Sequence, residues 1–97
     1  MIKTIFIDFI NNINDYNYKY SLYSKILPIN LGDEILLEEE LYDIKDTIGE
    51  FNYIIGVEDI KDIMNNLKMQ LPKNNDLQIC ANAINYYIEN DAFIDLK

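Results

Sequence analysis

"ILLEEELYDIKD", residues 35–46, can be folded in two ways, and the choice sets the architecture of the chain. With a period of 3.6, Leu37, Leu41, Ile44 and Ile48 share one face of a helix. As extended chain, Ile35, Leu36 and Leu37 follow the "LGD" turn and form the apolar run of a buried strand. We read a strand over 34–38 and leave 39–48 open between strand and helix. Whichever it is, the segment sets Glu38, Glu39 and Glu40 side by side, with Asp43 and Asp46 close behind.

On the C-terminal side, "FNYIIGV" at 51–57 follows Gly49 and is rich in aromatic and β-branched residues, which predicts a second strand. Helix follows over 58–70. Ile60, Ile63, Met64 and Leu67 supply its apolar face, while Glu58, Asp59 and Asp62 lie where the helix dipole favours negative charge. Pro72 marks its end. A further helix opens with Asn75 as N-cap and Gln78 three residues on, a capping-box spacing, and runs to about Ile88. Its inner face is Leu77, Cys80, Ala83, Ile84, Tyr87 and Ile88, and the apolar tail predicts that Phe93 and Ile94 pack back.

On the N-terminal side, tyrosines at 16, 18, 20 and 23 suit extended structure, so a loop and a short strand near 20–25 are expected before Pro28. Ile2, Ile5, Phe6, Phe9, Ile10 and Ile13 keep helical spacing, and residues 3–13 read as the first helix. The sum is one α+β domain over 1–97, about three helices packed on a small, mostly antiparallel sheet. At 97 residues the chain is close to the commonest domain size and can bury a core without disulfides or metal. The lone cysteine, Cys80, has no internal partner and reads as a core residue. No apolar run reaches the roughly 20 residues that span a bilayer, and "MIKTIFIDFINNI" lacks a signal-peptide cleavage site, so a cytoplasmic protein is expected.

Charge is distributed unevenly. Residues 33–62 carry 11 of the 17 acidic side chains against Lys45 and Lys61, whereas six acids and six lysines balance in the remainder. The formal charge of −9 therefore originates in one third of the chain. Such a field repels nucleic-acid phosphates and anionic lipid and attracts a basic macromolecule. With no histidine, a Ser/His/Asp triad and a Cys/His pair are excluded, and three glycines form no phosphate-cradling loop. Paired carboxylates are the remaining catalytic option, but crowding on a solvated surface shifts pKa values little and a chain this short seldom builds a cleft. Neither "EEE" nor "DAFID" has calcium-loop spacing. We expect no enzyme activity, cofactor or metal. Tyr42 sits among Glu39, Glu40, Asp43 and Asp46, an aromatic anchor in a charged rim, which suits a protein interface. The expected contact surface is Glu38, Glu39, Glu40, Tyr42, Asp43 and Asp46.

The C-terminal half adds a family likeness. "VEDIKDIMNNLKMQLP" at 57–72 and "AINYYIENDAFIDL" at 83–96 resemble small bacterial immunity proteins encoded beside polymorphic toxins, including those of contact-dependent growth inhibition systems. The likeness rests on the Asp-Ile pair opening the first of these helices, on Gln70 and Pro72 near its end, and on Tyr86-Tyr87 before Asn-Asp-Ala-Phe. It implies a protein that binds the C-terminal domain of a cognate toxin, often a nuclease with a basic cleft, and blocks it. The carboxylates of 38–50 would face that cleft. Two other uses of the same composition are an acidic nucleic-acid mimic that inhibits a DNA-binding protein, and an adaptor that self-associates as a homodimer through Phe93 and Ile94. Mimicry needs carboxylates along an extended ridge, toxin neutralisation one local patch.

Overall fold

The computed structural model describes residues 1–40 and 43–96. Five strands, β1 (Ile2–Ile5), β2 (Tyr20–Ser24), β3 (Glu34–Glu39), β4 (Thr47–Ile48) and β5 (Phe51–Gly56), form one sheet in the order β1-β3-β2-β5-β4. Every neighbouring pair is antiparallel. Three α-helices, α1 (Phe6–Asn11), α2 (Val57–Gln70) and α3 (Leu77–Asn90), pack on the sheet, giving a small single-domain α+β fold. No helix among the described residues is long and apolar enough to cross a membrane.

The run Ile35-Leu36-Leu37 is strand, as expected, and it lies at the centre of the fold because both faces of the sheet bury apolar side chains. Ile35 and Leu37 join Leu22 and Ile55 in the main core, beneath Phe6, Phe9, Ile60, Ile63 and Ile84. Leu36 points the other way, into a smaller cluster with Tyr23 and Phe51. Alternation of side chains along a strand makes a continuous apolar run the mark of burial on both sides. Complete burial of each such side chain stabilises by roughly 1.5–3 kcal/mol.

The predicted helix over 3–13 is corrected: Ile2–Ile5 is a strand, and the helix is confined to Phe6–Asn11. Ile-Lys-Thr-Ile alternates and is β-branched, and pairing Ile2 with Leu37 and Ile5 with Glu34 satisfies its backbone at the edge of the sheet. A strand that turns into a helix keeps the same apolar spacing that one continuous helix would show. The α1 start has no side-chain cap. Instead the N–H groups of Phe6 and Ile7 donate to the carbonyls of Asp33 and Leu31, both at 2.9 Å.

A second correction concerns α3, whose N-cap is Asp76 rather than Asn75. The Asp76 carboxylate accepts from the Gln78 N–H at 2.8 Å, and Asn74 Oδ1 accepts from the Asp76 N–H at 3.1 Å. The helix continues to Asn90 and stops where Asp91 turns left-handed at φ 52°. The tail packs back as expected: Gln70 Nε2 donates to the Ile94 carbonyl at 2.7 Å, and the Leu96 N–H donates to Gln70 Oε1 at 2.9 Å. Tyr87 and Phe93 meet with ring centroids 5.5 Å apart.

Two features of β5 position side chains for the site described below. Gly49, at φ +60°, opens the two-residue turn between Ile48 and Phe51, where the right-handed twist of the flanking strands asks for positive φ. Farther along, Leu22 pairs with Ile55 but Tyr23 pairs with Tyr53, so Ile54 is an extra residue in a β-bulge. The bulge lets Ile55 face the main core while Tyr53 joins the opposite cluster.

Candidate functional site

Five of the six residues expected from sequence are described, and they do not form one continuous face. Glu38 is half-buried opposite Ser21, whereas Glu39 is exposed opposite Tyr20, so strand alternation sends consecutive glutamates to opposite sides and relieves their repulsion. Glu40 follows the strand, its N–H donating to the Lys19 carbonyl at 3.0 Å. Asp43 and Asp46 are exposed, and the Asp46 carbonyl accepts from the Tyr53 N–H at 2.9 Å. Tyr42 lies outside the described residues.

Tyr23 organises this segment from below. Its side chain is completely buried against Leu36 and Phe51 and meets Tyr53 edge-on, with ring centroids 5.7 Å apart. Its hydroxyl donates to the Glu40 carboxylate and also lies 2.9 Å from the Lys45 carbonyl. One phenol thus ties both ends of the 40–45 segment to the sheet. Burial, followed by the hydrogen bond to Glu40 and the charge of that carboxylate, raises the Tyr23 pKa well above the ordinary tyrosine range. The phenol keeps its proton and remains a donor.

Beside this latch is an open pocket of about 370 Å³. Tyr18, Tyr20 and Tyr53 supply aromatic surface, Glu40, Glu58 and Asp59 supply carboxylates, and Ser21 and Gly56 lie between them. Ile44 and Lys19 complete the lining. The pieces come from five places: the entry into β2, the end of β3, the segment before β4 that carries Ile44, the bulged end of β5, and the first turn of α2. Glu58 and Asp59 are set there by local physics, since the start of α2 has no side-chain cap and favours acids in its first turn.

The pocket has a negative field, which shows on the tyrosine that lines it. Burial raises the Tyr53 pKa, and the charges of Asp59 and Glu40 push it up further. The field extends to the end of α3, where Asp59 is the main cause of a raised pKa at Tyr87, followed by burial, Asp91 and Asp62. Cys80 is buried away from the pocket lining, and burial followed by the charge of Asp76 raises its pKa, the opposite of an activated thiol. Among the described residues, no group of three or more acidic or cysteine side chains is placed to hold a metal ion.

Concave, aromatic and acidic, this arrangement is suited to a cationic group. Of the expected contact residues that are described, only Glu40 lines it. Tyr20 and Tyr53 read in the sequence as strand residues, Tyr18 as part of the loop before the first of those strands, and Glu58 and Asp59 as helix-start charges. Each reading is correct locally and silent on their convergence.

The chain belongs to the family described as a domain of unknown function, DUF7716, whose model matches residues 4–96. No curated protein and no solved structure matches it.

Proposed function

We propose that this DUF7716 member is a binding protein of the immunity type, which neutralises a basic toxin domain by occupying it with an acidic surface and catalyses no reaction. One observation carries the reading: Glu40, just after β3, and Glu58 and Asp59, in the first turn of α2, gather with three tyrosines around a single concavity. Carboxylates with aromatic anchors among them suit a protein interface, and grouping around one concavity favours local contact over the extended ridge that nucleic-acid mimicry needs. A nuclease-type toxin offers the matching basic cleft because it must bind phosphates. On this reading the chain acts in the cytoplasm, and neither nucleic acid nor a membrane is its partner.

Co-expression with the C-terminal domain encoded by the neighbouring gene tests the proposal. The two are expected to co-purify, and the chain is expected to restore growth to cells expressing that domain. A domain that neither co-purifies nor is neutralised removes the toxin reading.

A further inference from the structure

We propose that the pocket between β2, β5 and α2 receives an arginine side chain from the basic protein partner. This deepens the preceding proposal and rests on it.

The first ground is an unused polar group. Ser21 is only 4 % exposed as a residue and lines the pocket, and its hydroxyl is in none of the side-chain hydrogen bonds seen among the described residues. Ser24, at the end of β2, shows the ordinary outcome.

 The two serines are three positions apart, with Leu22 and Tyr23 between them, and the Ser24 hydroxyl donates to the Ile26 carbonyl at 2.9 Å. No buried side-chain polar atom among the described residues lacks a partner, so the Ser21 hydroxyl oxygen is open to solvent from the pocket and is free to bond a polar group that enters it.

The second ground is space. Gly56, paired with Ser21 across the strands, has nothing within 4 Å of where a Cβ would stand. Its conformation is open to other residues, so the gap beside Ser21 is room rather than backbone necessity.

The third ground is the chemistry of the lining. Three carboxylates face one ammonium, that of Lys19, so an incoming cation is favoured. Tyr18 is 63 % exposed and leaves its ring available for stacking. Glu40 uses its carboxylate to accept from Tyr23 but has further lone pairs to offer. A guanidinium stacks on an aromatic ring, engages a carboxylate through two parallel N–H bonds, and keeps other N–H groups for the Ser21 hydroxyl. A lysine ammonium is more strongly hydrated and cannot form the planar fork.

The full chain, labelled with ¹⁵N, is titrated with N-acetyl-arginine amide and separately with N-acetyl-lysine amide, following amide shifts by NMR. Arginine is expected to perturb Ser21, Tyr53 and Gly56 and to bind roughly tenfold more tightly than lysine. Gly56→Val, which fills the gap, and Tyr18→Ala, at an exposed position that leaves the core intact, are each expected to remove that preference. Glu34→Gln, outside the pocket, should keep it. Equal binding of the two probes, or a preference unchanged in both pocket variants, overturns the proposal. A decalysine peptide separates this failure from that of the broader reading: if it binds in a salt-dependent way while arginine shows no preference, the acidic surface stands and the arginine pocket falls. If neither decalysine nor arginine binds, both fall.

Discussion

Tyr23 is the residue at which packing and the acidic segment meet. Its ring belongs to the smaller apolar cluster, and its hydroxyl holds Glu40 and the Lys45 carbonyl. Tyr23→Phe retains the ring and removes only the donor, leaving a half-buried carboxylate to find water. We expect a loss of about 1–2 kcal/mol, seen as a lower urea midpoint with an unchanged slope. An unchanged midpoint would show that the latch contributes nothing to stability. The pH dependence has a definite sign. An unfolded tyrosine ionises near pH ~10, whereas the raised pKa of Tyr23 keeps its proton on in the native state. Above that pH the unfolded chain binds fewer protons than the native one, so stability that is complete below pH ~10 is lost as pH rises. Tyr53 and Tyr87 act in the same direction. In Tyr23→Phe the alkaline decline should be shallower. Thermal unfolding between pH 8 and 12, values of roughly two units either side of the free phenol's pKa, measures both effects.

Among the elements, the legible ones carry an unbroken period or a strong composition. The apolar residues of α2 repeat on one face, and β5 is announced by its aromatic and β-branched run. By contrast β1 is an edge strand of four residues, too short to show a period before α1 begins. The sequence reading misplaces the α3 cap at Asn75 because Asn74, Asn75 and Asp76 can all cap a helix, and only backbone geometry selects Asp76. The pocket was least legible. Its acids and tyrosines are separated in sequence, and what aims Tyr53 is the bulge at Ile54, which no local pattern announces. A contact of the same non-local kind holds the β2–β3 connection onto α3. Asn85 accepts from the Ile29 N–H at 2.9 Å and donates to the Ile29 carbonyl at 2.8 Å and the Ala81 carbonyl at 3.0 Å. Asn85→Ala removes all three bonds and frees the segment that buries Ile29, with an expected loss of about 2–3 kcal/mol. Hydrogen exchange at the Ile29 amide should accelerate more than exchange in the centre of β3. Equal acceleration at both places would mean that the asparagine supports global stability rather than this docking.

For the whole molecule, the charge imbalance makes opposite demands on folding and on binding. The net charge is −9, and the two ion pairs seen among the described residues, Lys3–Glu34 at 3.9 Å and Lys25–Glu50 at 3.5 Å, are at exposed side chains where such pairs contribute little. Folding brings the carboxylates of β3 and the α2 start closer than they are in the unfolded chain, so self-repulsion opposes the native state. Salt screens that repulsion over roughly 8–10 Å at physiological strength. Raising sodium chloride from 10 to 200 mM, concentrations of about those orders, should therefore stabilise the free protein. A gain on the order of 1 kcal/mol corresponds to a Tm roughly 4–8 °C higher in a domain of this size. Association with a basic partner should respond in the opposite sense, because the same screening removes the attraction that accelerates encounter. Measuring both on one sample separates a field kept for recognition from charge that merely keeps the chain dispersed. If Tm rises with salt while the association rate stays constant, the acidic surface is not what meets the partner. If Tm rises and the rate falls steeply, the repulsion tolerated in the native state is linked to the attraction it provides in the complex.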